Sequence, residues 1–348
     1  MKKNSIFLSI LLLVLSSCNH SIKDTQHTKS EWLTDFFSAA SSYEDIYAIA
    51  YWNEDFDQTY LKVNSSATTL ETFKSLVANP NYISTCQFDN NHLKPVTGKK
   101  YFGSFPDFCG EEDCVSTQRI TDYENLIDKP IAWAYFSNNW NQSIAFPQSQ
   151  VMTIINAGKT PFIRLMPRSE FEVYRQDPIW KLTDIINGMH DTAITNWAIA
   201  AKAIAHPILV EFGTEMNGFW FSWNGRYYGA GTTDQYGDST YPDGPEIFRD
   251  AYRHIIDLCD QAGADNLTWF FHFDVHNDPD EWWNDPVYYY PGDAYIDWLG
   301  VSTYGPFQEG EDYEDYIPAD LLEKAHTKFV QLSTDKPYAV LEFGVTEL

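Results

Sequence analysis

Along most of the chain, short apolar runs rich in β-branched and aromatic residues alternate with longer stretches of helical spacing. The runs that read as strands are Lys100 to Phe105, Pro130 to Phe136, Pro161 to Met166, Ile208 to Phe212, Leu267 to Phe273, Ile296 to Thr303 and Tyr338 to Phe343. Helices are predicted between them, for example over Ile179 to Ala205 (broken near Gly188), Glu246 to Gln261 and Ala319 to Leu332. Such alternation predicts βα units and a parallel sheet. Ahead of these lie a helix over Glu31 to Ala40, a strand over Ile46 to Trp52, and a second helix over Thr69 to Val77 that ends near Pro80.

The chain has 348 residues, 44% of them hydrophobic, which suffices for one large core. α/β barrels of this length are routinely one domain. A net charge of −26 argues against nucleic acid or an anionic membrane surface as a partner and suits a neutral polymer, although a solvated acidic surface explains it better than any specific role. Lys2 and Lys3, the apolar run Ile6 to Leu15, and Leu15-Ser16-Ser17-Cys18 form an export signal too short to span a bilayer as a mature helix. The pattern resembles a bacterial lipoprotein signal. It implies removal of residues 1–17, acylation of Cys18, a polar tether over 18–30, and a protein held at the cell envelope by lipid alone. Residues 31–348 then form a single domain. In an oxidising compartment Cys109 and Cys114, flanking Gly110-Glu111-Glu112-Asp113, are the best disulfide pair. Cys86 and Cys259 either pair or stay free, and Cys259, on a helix, reads as a buried thiol. No Cys/His spacing matches a zinc site, and His272 and His276 fall in a strand-to-loop stretch, so neither metal nor cofactor is expected.

The candidate chemistry centres on Glu211 to Gly225, EFGTEMNGFWFSWNG, directly after the strand at Ile208. Glu215 is expected where a buried strand meets a loop, with Trp220 and Trp223 close by. Indole faces offer a pyranose an apolar platform and the carboxylate offers it a proton.

This stretch resembles the family 26 glycoside hydrolases, β-mannanase-like members of a retaining (β/α)8 clan. The resemblance runs through Thr214-Glu215-Met216-Asn217-Gly218-Phe219-Trp220-Phe221-Ser222-Trp223, then Tyr290-Pro291-Gly292-Asp293, Ile296-Asp297-Trp298-Leu299-Gly300-Val301, Tyr304, and Pro337 to Gly344 with Glu342. It implies a TIM barrel in which Glu215 is the acid/base and Glu342 the nucleophile, steadied by groups such as Tyr304. Counted from Lys100, Glu215 ends the fourth strand and Glu342 the seventh, as in the clan. The eighth strand is then missing from the C-terminal part. Either the chain is circularly permuted, with 31–85 supplying helix 7, strand 8 and helix 8, and 100–348 supplying strands 1 to 7, or the barrel is truncated. Permutation requires Ile46 to Trp52 to pair with both Lys100 to Phe105 and Tyr338 to Phe343.

Substrate contacts are expected from Trp220, Trp223, Trp133, Trp52, Tyr304, Asn217, Thr214 and His272. Glu211 should point into the barrel and pair with Arg164 on the neighbouring strand. The family carries histidine where this chain has Thr214, which leaves two readings open. One is a monomeric retaining endo-β-glycanase acting on mannan, mixed-linkage glucan or β-1,3-xylan, mannan first. The other is a glycan-binding lipoprotein on a barrel that has lost catalysis.

Overall fold

The computed structural model describes residues 28–56, 59–171, 174–306 and 310–348. The export signal, Cys18 and most of the expected tether lie outside them. The first described element is already a helix, α1 (Lys29–Ser42), closed by a capping box in which Thr28 and Glu31 satisfy each other's backbone N–H groups. The tether expected through residue 30 therefore stops earlier, because this box starts the helix at Lys29.

Eight strands form the barrel: β1 (Ile46–Trp52), β2 (Lys100–Phe105), β3 (Trp133–Asn139), β4 (Thr160–Met166), β5 (Ile208–Phe212), β6 (Leu267–Asp274), β7 (Trp298–Tyr304) and β8 (Tyr338–Gly344). Each pairs in parallel with the next, and β8 pairs with β1. Closure leaves none of the eight with a free edge. The helices α2 (Ala67–Val77), α3 (Thr117–Ile127), α4 (Gln148–Asn156), α5 (Leu182–Ile186), α6 (Asp191–Ala203), α7 (Asp243–Ala262) and α8 (Pro318–Leu332) complete a (β/α)8 barrel. The break expected near Gly188 separates α5 from α6, with Gly188 at φ +77°. Strand β1 lies between β8 and β2, so the N-terminal segment closes the ring.

The barrel interior has two layers. Tyr101, Trp133, Phe162, Phe270 and Trp298 fill the lower one, with Phe270 and Trp298 stacked at 5.6 Å between ring centroids. Gly103 makes room for this packing, since a Cβ there would stand 2.1 Å from the Trp133 ring. A hairpin of Phe88–Asp89 and His92–Leu93 covers this end, where Leu93 accepts from Trp298 Nε1 (2.9 Å) and donates to Thr268 Oγ1 (2.9 Å). Two residues further along the strands, on the same inward face, the layer changes from aromatic to charged: Tyr135, Arg164, Glu211 and His272. Of the cysteines, Cys109 and Cys114 are joined, while Cys86 and Cys259 are free thiols. No helix among the described residues is long and apolar enough to cross a membrane.

Candidate active site

The C-terminal ends of the strands bring the charged layer to the barrel mouth, where the active sites of such barrels are built. Glu342 projects from β8. Its Oε2 accepts from the Tyr304 hydroxyl of β7 at 2.8 Å, and its Oε1 lies 3.3 Å from Arg164 Nη2 of β4. Glu215 follows β5 on a backbone held at φ +48°, a conformation that non-glycine residues adopt when the surrounding structure imposes it. Its N–H donates to the His272 carbonyl at 3.0 Å, and its Oε2 accepts from Trp220 Nε1 at 3.2 Å. Gly218 permits this, because a Cβ there would stand 2.2 Å from the Trp220 ring. One oxygen of Glu215, one of Glu342 and one nitrogen of His272 lie within 4.8 Å of one another.

Burial raises the pKa of both glutamates. Glu342 is pushed up to about 7, with Arg164 opposing the rise and Glu215 adding to it. Glu215 is raised by burial and then by Asp274, whose own carboxyl burial lifts to about 7. A carboxylate nucleophile attacks in its ionised form, so the rise on Glu342 runs against that role. The donors nevertheless sort the pair. Glu342 has a guanidinium and a phenol in direct contact to hold its anion, whereas Glu215 has an indole N–H and the Ser302 hydroxyl, with His272 and Arg164 acting through charge against the Asp274 carboxylate. Two carboxyls this close titrate as a pair, and the one with a guanidinium in direct contact to favour its anion is Glu342.

Beneath them lies a network the sequence only partly revealed. Glu211 was expected to pair with Arg164, whose Nε is 3.5 Å away, but its nearer partners are His272 Nδ1 (2.9 Å) and the Tyr135 hydroxyl. Arg164 instead spans three carboxylates: Glu112 (2.9 Å), Glu342 and Glu211. Burial disfavours charge on His272, yet Glu211, followed by Glu342 and Glu215, holds its pKa above the ordinary value. The His272 nitrogens are engaged, Nδ1 with Glu211 and with Thr214 Oγ1 (2.9 Å), Nε2 with Ser302 Oγ (2.8 Å). Glu211, Thr214 and Ser302 thus hold the imidazole, and Glu215, His272 and Glu342 are coupled through charge.

Several expected substrate contacts are placed elsewhere. Thr214 and His272 are buried and bond each other inside the barrel, so neither hydroxyl nor imidazole is offered to a sugar. Asn217 is buried too; its amide ties Asp274, His276 and Asn277 together, which fixes the loop after β6. Trp223 stacks on Phe221 and donates to the Thr214 carbonyl, packing beneath the acid/base turn. Trp133 is the first residue of β3, at the opposite end of the barrel: the strand starts three residues later than its apolar run suggested and carries on to Asn139. Trp220, Tyr304 and Trp52 do stand at the mouth. Trp52, at the end of β1, stacks on Phe105 at 4.0 Å and lies 5.2 Å from the Arg164 guanidinium carbon. Tyr135, Asp274, Ser302, Glu112 and Arg168 were not foreseen as site residues. Tyr135 and Ser302 share strand parity with residues that were, and that signal could have found them.

Residues 178–335 match the family model for Glycosyl hydrolase family 26. Endoglucanase H of Acetivibrio thermocellus is 24% identical over 238 residues, 67% of this chain and 23% of that protein, so the chain spans less than a quarter of this relative's length. Among solved structures, a GH26 β-mannanase from Bacteroides ovatus is 13% identical, covering 90% of this chain and 76% of its own at a TM-score of 0.44. GH26A from Muricauda sp. MAR_2010_75 is 16% identical, covering 65% and 78% at a TM-score of 0.40. At such scores the fold assignment rests on the strand pairing, not on these structures. The family matched by residues 178–335 is the one the motifs resemble.

Proposed function

We propose that this protein is a retaining endo-β-glycosidase that hydrolyses a β-linked polysaccharide, with Glu342 as nucleophile and Glu215 as acid/base. The observation that carries the reading is the spacing of the two carboxylates, with oxygens inside 4.8 Å and unequal donors around them. Retaining enzymes hold their carboxyls about 5–5.5 Å apart, and inverting enzymes leave about 6.5–9.5 Å for a water. Glu342 attacks the anomeric carbon while Glu215 protonates the leaving oxygen. Glu215 then takes a proton from water, which displaces Glu342 and restores the β configuration. Trp220 positions Glu215, Tyr304 and Arg164 hold the charge on Glu342, and Trp52 walls the sugar under attack. β-1,4-Mannan is the first substrate, a choice supported by the family resemblance and by the mannanases among its relatives.

We further propose that the protein acts as a monomer held at the cell envelope by a lipid on Cys18, supported by the signal pattern in the sequence. The pairing of Ile46–Trp52 with both Lys100–Phe105 and Tyr338–Gly344 closes the ring, and circular permutation is supported by Glu215 and Glu342 falling at the ends of the fifth and eighth barrel strands in chain order, each one later than in the clan. The test of function is reducing-sugar release from β-mannan, mixed-linkage β-glucan and β-1,3-xylan by the protein and by Glu342→Gln. Release from one polymer, abolished by the substitution, is expected. A folded protein that binds a glycan and releases nothing would replace this reading with the binding one.

A further inference from the structure

The loop between β2 and α3 crosses the barrel mouth and carries a carboxylate to the catalytic cluster. It is tied at its base by the Cys109–Cys114 disulfide and docked on the end of β3, where Ser137 N–H donates to the Glu112 carbonyl (2.9 Å) and Asn139 Nδ2 to the Glu111 carbonyl (2.7 Å). Glu112 sits at φ +60° and Cys109 at φ +67°, so the loop is bent into place by its tie and its docking rather than by local preference. The Glu112 side chain accepts from Ser137 Oγ and from Arg164 Nη1, with Arg168 Nη2 at 3.5 Å. The same guanidinium reaches Glu342 through Nη2.

We propose that Glu112 is a positioning residue that competes with Glu342 for Arg164, and that the Cys109–Cys114 loop exists to hold it there. This rests on the assignment of Glu342 as nucleophile. One guanidinium divided among three carboxylates gives each less than a full counter-charge. Glu112 takes the shortest contact, and although burial opposes it, Arg164, Arg168 and Ser137 hold its pKa below the ordinary value, which favours its charged form. Glu342 is left under-compensated. The charged or titratable groups that face it are Tyr135 from β3, Arg164 from β4, Glu211 and Glu215 from β5 and its turn, His272 and Asp274 from β6, and Tyr304 from β7. Around Arg164 are Tyr135, Glu211, Glu342 and Glu112; around Glu112, Glu54 and Asp113 add like charge and Arg168 opposes it. Withdrawing the Glu112 charge releases Arg164 to Glu342, whose ionisation then moves to lower pH.

The test labels glutamate δ-carboxyls with ¹³C and titrates the Glu342 resonance, identified by its loss in Glu342→Gln. Wild type is compared with Glu112→Gln and with Cys109→Ser/Cys114→Ser. In both variants the Glu342 midpoint is expected to fall by about one pH unit, as neighbouring charges of this kind shift carboxyls by about 1–3 units. The acid limb of kcat/KM on the polymer that wild type cleaves is expected to fall with it. An unchanged or higher midpoint in Glu112→Gln overturns the proposal, even if activity drops, because that would be a structural effect alone. A lowered midpoint in a protein that cleaves no polymer would uphold the competition for Arg164 while removing the hydrolase reading.

Discussion

Replacing Arg164 by methionine keeps most of the side-chain volume and removes the charge at the centre of the site. Arg164 is 3% exposed and contacts Glu112, Glu342 and Glu211 at 2.9, 3.3 and 3.5 Å. The loss is not equal for the three. Glu112 keeps Arg168, Glu211 keeps His272, and Glu342 keeps only Tyr304 among its close donors. Breaking a buried ion pair by deleting one partner costs about 3–5 kcal/mol. Part of that cost depends on pH. Glu342 titrates at about 7 with Arg164 present and higher without it. At pH 5 the folded protein holds this proton in both forms, so the difference from Glu342 vanishes. At pH 8 wild type has ionised Glu342 and the variant still protonates it, at about 1.4 kcal/mol for the unit between 7 and 8. Urea unfolding at the two pH values reads both parts. The expected result is a destabilisation of about 3–5 kcal/mol at pH 8 that is roughly 1 kcal/mol smaller at pH 5. A penalty below about 1 kcal/mol, the level of an exposed pair, or one that grows toward low pH, would refute the account of Arg164 as the counter-charge of Glu342.

Three further outcomes are expected. Glu215→Ala should cut kcat on a polymer by about 10²–10⁴-fold, with a smaller loss on an aryl glycoside whose leaving group needs no proton; equal losses on both would argue against the acid/base role. Asp274→Asn should lower the basic limb of kcat/KM, because the Asp274 charge raises the Glu215 pKa, and a limb that stays put or rises would separate the two groups. Thermal stability should decline from pH 5 to pH 8. Asp274 and Glu342 both titrate at about 7 when folded, so the folded state holds protons that the unfolded state has lost, and His272, raised likewise, contributes less as it deprotonates. Scanning calorimetry checks this, and a melting temperature that climbs over that range would contradict it.

The barrel was legible because buried parallel strands read as continuous apolar runs, and the strands at Ile46, Lys100 and Ile208 have the bounds their runs suggested. Strand β3 was misplaced since Pro130-Ile131-Ala132 is apolar but lies ahead of the first paired residue, whereas Ser137-Asn138-Asn139 is polar and still pairs with β4. That shift moved Trp133 from the expected mouth to the barrel floor. Glu215 and Glu342 were legible because strand ends and parity place them. Thr214 was read as a sugar contact because it precedes Glu215, but alternation along the turn sends its hydroxyl to His272. The part played by Glu112 could not be read at all. It depends on a loop from β2 folding across to β4, a contact between residues 52 positions apart that no local pattern records.

The most direct test of the central claim is the anomeric configuration of the first product, followed by ¹H NMR as the polymer that wild type cleaves is hydrolysed. Carboxylates as close as Glu215 and Glu342 leave no room for a water between nucleophile and sugar, so the β-anomer should appear first and mutarotate afterwards. An α-anomer formed first would mean a single inversion, and would remove Glu342 from the role of nucleophile.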